Sequence, residues 1–205
     1  MESLYPITDR TLEWRSAAGV GRRYQLHASR GVISELAFSK KPTKEAFGLT
    51  VAHFWSFKPD GPLGSRFQIR REGEAEVFSA IQLNLPRTKG FLPIPGTSAK
   101  FTFASTNLFA TDWQWLDERS DGLIGFRQKG LSRLAADVYL ADHAPYHPYT
   151  PLLLVAGFYL VLLNFERQAA AIAAEPEVQI ENLQRSSIEQ RRRSKQREIN
   201  IIAMK

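Results

Sequence analysis

Apolar and polar residues alternate in short stretches along most of the chain. Between positions 66 and 71, for example, Phe67 and Ile69 alternate with Gln68 and Arg70, which is the period of a strand whose two faces meet different environments. The stretches follow one another without intervening helical patterns, as is typical of an antiparallel meander. They predict nine strands, at 23–28, 32–38, 49–57, 66–71, 76–83, 100–105, 112–116, 123–128 and 134–140.

Glycines separate several of these strands. Gly31, Gly61, Gly73 and Gly122 each follow an arginine, an aspartate or a glutamate, and glycine can adopt the positive φ that tight hairpin turns require. A sheet with one apolar face must cover that face, and strands can do so as two packed sheets or as a closed barrel. The pattern therefore predicts one mostly β domain and leaves these two arrangements open.

A continuous apolar run occupies positions 151–163. Pro151 suits the first turn of a helix, and Thr150 suits the N-cap position before it. A helix that is apolar on all sides does not lie on a water-exposed surface, so it lies in a membrane, beneath a covered sheet face or inside a barrel. The 12 residues after Pro151 span ~18 Å as a helix, whereas a bilayer core is ~30 Å thick. The run therefore predicts a buried core helix, with a single membrane span as the alternative.

The order of these elements resembles a known family. An early hairpin at 24–38, a Trp-rich late strand at 112–116 and the apolar helix at 151–163 are laid out as in the tubby C-terminal-like domain superfamily, which includes tubby proteins, phospholipid scramblases and LURP-one-related proteins. The resemblance spans residues 10–168 and implies a closed antiparallel β-barrel of about twelve strands around a central hydrophobic helix. It also implies an intracellular, generally non-enzymatic protein that associates with membrane lipid or acts as a scaffold.

Two features depart from this family. Some forty residues follow Leu163, whereas the helix of the family usually stands close to the chain end, and the signature basic residues of the tubby phosphoinositide site are not matched. The resemblance therefore transfers no site residue. We predict an N-terminal extension at 1–11, a barrel at 12–168 with its central helix at 151–168, and a basic tail at 169–205.

Net charge and cysteine content indicate the cellular compartment in which the protein works. The 205 residues carry a net charge of +6 and no cysteine, which excludes disulfides, thiolate metal sites and a cysteine nucleophile and favours a reducing, intracellular setting. Positions 1–15 contain acidic residues and no apolar signal-peptide core. We therefore expect a cytoplasmic protein that can be peripheral at a membrane.

Basic residues are the candidate binding groups. Eight on the body lie near predicted turns or strand ends: Arg22, Arg23, Lys40, Lys41, Arg70, Arg71, Arg127 and Lys129. If they converge at one end of a barrel they form an anion-binding rim, and otherwise they are ordinary surface charge. The tail adds Arg191, Arg192, Arg193, Lys195 and Arg197. This run can attract anionic headgroups or nucleic acid, or remain solvated, and nucleic acid is the less favoured partner because the body has no nucleic-acid-reading motif.

No pattern in the sequence indicates catalysis. His143 and His147 have the spacing of two metal ligands on one helix face, but Pro145 and Pro148 prevent a helix there. Nucleophile-elbow, P-loop and complete GxGxxG patterns are absent from the sequence. We expect no catalytic residue, metal or cofactor, and a module that binds anionic phospholipid or a protein partner, with its oligomeric state open.

Overall fold

Twelve antiparallel strands form the body of the protein in the computed structural model, which describes residues 9, 11–18, 21–39, 44–51, 53–60, 64–84, 88–107, 111–129 and 135–171. The strands are β1 (Thr11–Ser16), β2 (Arg23–Ala28), β3 (Gly31–Phe38), β4 (Ala46–Leu49), β5 (Phe54–Asp60), β6 (Arg66–Arg71), β7 (Ser79–Leu83), β8 (Lys89–Pro93), β9 (Lys100–Ser105), β10 (Asp112–Leu116), β11 (Gly122–Gln128) and β12 (Ala136–Leu140). Each strand pairs with its neighbours in sequence, and β1 also pairs with β12. The sheet is therefore a closed barrel, which confirms the predicted mostly β fold.

The alternation of residue types decides which side chains face the barrel interior. In β1, Leu12 and Trp14 are buried on either side of the half-buried Glu13, and in β10, Trp113 and Trp115 are buried on either side of Gln114. Because the barrel is closed, every strand has two pairing partners and no unpaired edge remains. The inward-facing residues form one apolar core cluster.

The apolar run forms the greater part of one long helix, α1 (Thr150–Ala171). Its residues from Leu152 to Leu163 are all buried, and they touch strands from different sides of the barrel. Phe158 stacks on Trp14 of β1 with ring centroids 4.4 Å apart, and Tyr159 contacts Phe57 of β5 at 5.2 Å. The Trp115 indole of β10 donates a hydrogen bond to the Leu153 carbonyl oxygen at 2.9 Å. Because α1 contacts the wall on several sides, it lies in the lumen.

Two glycines allow this close approach of helix and wall. A Cβ atom added to Gly48 of β4 would overlap Cγ1 of Val155, and one added to Gly157 would overlap the Phe126 ring. Atoms in a packed core cannot interpenetrate, and core side chains already fill the available space. Glycine at these positions therefore sets the distance between α1 and opposite parts of the wall.

The strand boundaries differ from the sequence prediction in several places, and the strand predicted at 134–140 is observed as Ala136–Leu140. The predicted strand at 49–57 is two strands, β4 and β5, because the Thr50 side chain closes a turn in which its hydroxyl oxygen accepts the His53 N–H at 3.1 Å. The predicted strand at 76–83 begins only at Ser79. β1 was not predicted, although its residues alternate, and β8 was not predicted because it contains a glycine and a proline.

Two local details also correct the sequence prediction. In the β10–β11 turn the left-handed conformation belongs to Ser120, with φ of 68°, rather than to Gly122. The Asp117 carboxylate stabilises this turn by accepting the N–H groups of Arg119 and Asp121, each at 2.9 Å. Thr150, predicted to cap α1, instead donates its hydroxyl hydrogen bond back to the Ala144 carbonyl oxygen.

The length of α1 overturns the argument that it is too short for a membrane. The polar residues after Leu163 continue the helix, so that α1 has 22 residues and is long and apolar enough to span a bilayer by length and composition. Burial is the better criterion, because Leu152–Leu163 are enclosed by the barrel wall. A side chain that is already covered by protein gains nothing further from contact with lipid.

The chain divides into two compact units, Met1–Leu163 and Asn164–Lys205. The first contains the barrel and the buried part of α1. In the second, the described residues continue α1 to Ala171.

Candidate functional site

The meander gives the barrel two distinct ends. α1 begins after β12, and further along it the Tyr159 hydroxyl donates to the Lys44 carbonyl oxygen at 2.7 Å, in the β3–β4 connection. We call the end where α1 begins the entry end and the end with the β3–β4 connection the exit end. Because successive strands are antiparallel, the connections that follow odd-numbered strands lie at the exit end and those that follow even-numbered strands lie at the entry end.

Charge is divided between these two ends. Among the described residues, the exit-end connections contain three basic residues and one acidic residue: Arg22, Lys44 and Lys129 against Glu45. The entry-end connections contain two basic and seven acidic residues: Arg30 and Arg119 against Glu72, Glu74, Glu76, Asp117, Glu118, Asp121 and Asp142. The connections therefore give the barrel a positive end and a negative end.

Four of the predicted basic residues belong to the exit-end half of the barrel. The Arg22 guanidinium lies over the Phe38 ring, 3.9 Å from its centroid. Arg23 pairs with Glu35 at 3.1 Å and Arg127 with Asp112 at 3.3 Å. These contacts orient the guanidinium groups and partly offset their charge, so the connections contribute more to the positive end than the strands do.

Lys129 is held more firmly than the others. Its ammonium group contacts the carboxylates of Asp137 at 2.6 Å and Glu13 at 3.0 Å. Hydrogen bonds to Asp137 and then Glu13 raise the pKa of Lys129, and hydrogen bonds from Arg15 and then Lys129 lower the pKa of Glu13. These two ion pairs connect Lys129, which follows β11, to β1 and β12 where the sheet closes. Lys129 therefore stabilises the closed barrel in addition to carrying a positive charge.

Two other predicted residues lie at the opposite end of the barrel. Arg70 and Arg71 end β6 at the entry end, where Arg71 pairs with Glu74 at 3.1 Å. Lys40 and Lys41 lie outside the described residues, as do the tail residues Arg191, Arg192, Arg193, Lys195 and Arg197. The six described body residues thus belong to two ends, and among them only the exit-end group corresponds to the predicted rim.

A cleft of about 360 Å³ opens at the entry end beside the start of α1. Asp117, Asp121, His143 and His147 are among its lining residues. Burial, and then the neighbouring His143, lower the pKa of His147. The Nδ1 atom of His147 accepts the Tyr149 N–H at 3.3 Å, so the neutral ring helps to order the loop that precedes α1.

The same two histidines lie on either side of a short turn rather than on one face of a helix. A three-residue 3-10 helix, Ala144–Tyr146, separates His143 from His147, as expected from the prolines around them. Among the described residues, no group of three or more His, Cys, Asp or Glu side chains is placed to hold a metal ion. The cleft therefore offers carboxylates and imidazoles as hydrogen-bonding groups.

The division of charge was not visible from residue spacing. Sequence reasoning found the basic residues but overlooked the acidic entry end, because acidic residues at 72–76 and 117–121 belong to the same end only once the strand order is known. Summing charge over alternate connections of the predicted meander would have given the signal, but the prediction had nine strands instead of twelve, so connections were assigned to the wrong ends.

Comparisons with known proteins give one distant structural likeness. No family model and no curated protein matches the chain. Among solved structures, the X-ray structure of a protein from Arabidopsis thaliana is similar with a TM-score of 0.48 and 9% sequence identity, covering 76% of this chain and 91% of that one. A likeness at this level does not establish a family or a function for the chain.

Proposed function

We propose that the protein is a non-catalytic cytoplasmic module that binds anionic phospholipid headgroups with the exit end of its barrel. The observation that carries this proposal is the division of charge among the described connections: Arg22, Lys44 and Lys129 against Glu45 at the exit end, and an excess of acidic over basic residues at the entry end. An anionic surface attracts the first end and repels the second, so the division of charge both draws the barrel to the surface and orients it.

The filled lumen favours a surface ligand over an enclosed one. α1 occupies the interior with buried side chains such as Leu154, Phe158 and Leu160, so protein side chains take the place that an enclosed ligand would need. The connections between strands therefore contain the residues that bind the headgroup. Their ammonium and guanidinium groups form charge-assisted hydrogen bonds with phosphate oxygens. A module of this kind binds peripherally, and its affinity falls as salt is added because exposed charges are screened.

Membership of the tubby C-terminal-like superfamily is part of the same proposal. A closed barrel of twelve strands around a central apolar helix is the arrangement that the sequence resemblance implies. The basic tail, which lies outside the described residues from position 172 onward, adds a second electrostatic contribution. The same ammonium and guanidinium groups would bind a protein partner with an acidic surface. The liposome assay distinguishes lipid binding from binding to such a partner, because liposomes contain lipid alone.

Co-sedimentation with liposomes tests the proposal. Arg22→Gln with Lys44→Gln removes two positive charges from the exit end, and the control, Arg30→Gln with Arg119→Gln, removes two from the entry end. At about 1 kcal/mol for each basic residue near an anionic leaflet, the exit-end variant should bind phosphatidylserine liposomes about thirtyfold more weakly. The control should bind as well as the wild-type protein.

Truncation of residues 177–205 separates the barrel from the tail in the same assay. If the barrel contributes, the truncated chain keeps salt-sensitive binding that the exit-end variant reduces further. Equal weakening in the exit-end and entry-end variants would contradict the proposal, because only net charge would then matter. Binding to phosphatidylcholine liposomes that high salt does not reverse would contradict it as well.

A further inference from the structure

The outer wall of two neighbouring strands carries an apolar patch. Phe47 and Leu49 of β4, Val51 of the β4–β5 turn and Phe54 of β5 make up this wall patch. Leu49 pairs directly with Phe54, and the rings of Phe47 and Phe54 stack with centroids 6.0 Å apart. Val51 is 67% exposed and Leu49 is 48% exposed, so the patch is open to solvent at its entry-end border.

The barrel core does not account for these side chains. Inward positions of the same strands are filled by other residues, such as Ala46, Trp55 and Phe57, which are buried. On β1 and β2 the outward positions carry polar residues, including Arg15 and Gln25. Contiguous exposed apolar residues on a soluble wall are characteristic of a surface that another molecule covers.

Acidic residues border the wall patch on the entry-end side. The Glu72 N–H donates to the Phe54 carbonyl oxygen at 2.9 Å, which places the start of the β6–β7 connection beside the patch. This connection contains Glu72, Glu74 and Glu76. Glu74 pairs with Arg71, and Arg70 lies opposite Ser56, so the three acidic residues outnumber the two basic ones. An anionic membrane surface is repelled by this border, whereas a cationic partner is attracted to it.

The geometry points to a docking site for a peptide segment of a partner protein that combines an aliphatic or aromatic anchor with flanking Lys or Arg residues. The anchor covers Leu49 and Val51, and the flanking basic side chains meet the carboxylates of Glu72 and Glu76. This site lies on the wall and at the entry-end border, so it is separate from the exit end assigned to anions. A barrel bound to a membrane by its exit end leaves the site accessible.

Peptide selection on the full chain tests this site. A display library of random dodecapeptides is panned against the wild-type protein and against a Leu49→Ser, Val51→Ser variant, and the most enriched peptides are synthesised for fluorescence anisotropy. We expect enrichment of sequences with a large apolar residue beside Lys or Arg, and at least about tenfold weaker binding to the variant. Tyr146→Ser is the matched control, because Tyr146 is 80% exposed at the same end outside the patch.

A second variant separates charge from apolar contact. Glu72→Gln with Glu76→Gln should weaken binding and reduce its dependence on salt, while leaving the preference for an apolar anchor. The assignment is overturned if the enriched peptides lack basic residues, if no sequence is enriched over the Leu49→Ser, Val51→Ser panning, or if both variants bind like wild type. Concentration-dependent self-association that the serine variant abolishes would overturn it too, because a second copy of the chain would then be the occupant.

Discussion

Replacing Gly157 by alanine tests directly whether the barrel wall encloses α1. A Cβ atom at this position would lie 2.5 Å from Cε2 of Phe126 and 2.6 Å from Nε1 of Trp115. Heavy atoms in contact are normally ~3.5–4.0 Å apart, so these two aromatic side chains would have to move by about 1 Å. Both rings are buried and have no empty space into which to move.

The expected cost exceeds the gain in helix propensity. Overpacking of a core costs about 1–3 kcal/mol, and disturbing the buried hydrogen bond from Trp115 to the Leu153 carbonyl oxygen costs a further amount of about 1–3 kcal/mol. Alanine in place of glycine favours a helix by about 1 kcal/mol. Together these values predict that Gly157→Ala lowers the free energy of unfolding by about 3 kcal/mol.

Urea denaturation followed by tryptophan fluorescence measures this change. Gly125→Ala is the matched control, because the nearest atom to a Cβ there is Cβ of Tyr139 at an ordinary 3.8 Å, and its free energy of unfolding should change by less than about 1 kcal/mol. In an exposed or lipid-facing helix, Gly157→Ala would be stabilising or neutral. Either of those results would refute the enclosed helix.

Three further changes address the core helix and its first turn. Tyr159→Phe removes the hydrogen bond to the Lys44 carbonyl oxygen and should lower the free energy of unfolding by about 1 kcal/mol in urea titrations. Burial and then His143 lower the pKa of His147 below its ordinary 6.5. As the pH falls, the unfolded chain therefore takes up the proton before the folded protein does. The free energy of unfolding should be greatest above pH 6.5 and should decline as the pH falls through that value. Thermal melts of His147→Gln should show a smaller decline over the same pH range. Leu154→Lys places a charge at a position that is 2% exposed, and circular dichroism should report an unfolded chain; a folded, newly soluble domain would indicate a membrane anchor instead.

The sequence was most informative where side-chain periodicity is strict. The alternation in β6, β9 and β10 predicted those strands with their observed bounds. The β4–β5 hairpin was missed because its turn contains neither glycine nor proline and is closed by the Thr50 hydroxyl, which accepts the His53 N–H. A threonine in an apolar stretch looks like a strand residue, since its β-branched side chain favours that conformation.

Composition along the helix predicted its burial, and the predicted helix at 151–168 ends three residues before the observed end at Ala171. All-round apolar residues from 152 to 163 require an enclosed environment, and the barrel supplies it. The helix continues beyond Leu163 because Glu166, Arg167 and Gln168 are good helix formers even though they are polar. An apolar run therefore marks the buried part of a helix rather than its length.

The candidate site depended on contacts that are distant in sequence. Lys129 and Glu13 form an ion pair across the closure of the barrel, 116 positions apart, and no local pattern links them. The same holds for the positive and negative ends, which are sums over connections that only the strand order brings together. Individual charges were readable from the chain, whereas their grouping required the fold.

Orientation on an anionic surface is the most direct test of the functional account. The protein is bound to nanodiscs that contain phosphatidylserine and a small fraction of lipid with a gadolinium-chelating headgroup, and amide relaxation is measured along the barrel. The account predicts strong enhancement at Ser39, Lys44 and Lys129 of the exit end and weak enhancement at Gly96 and Ser120 of the entry end. Equal enhancement at both ends, or stronger enhancement at the entry end, would contradict it.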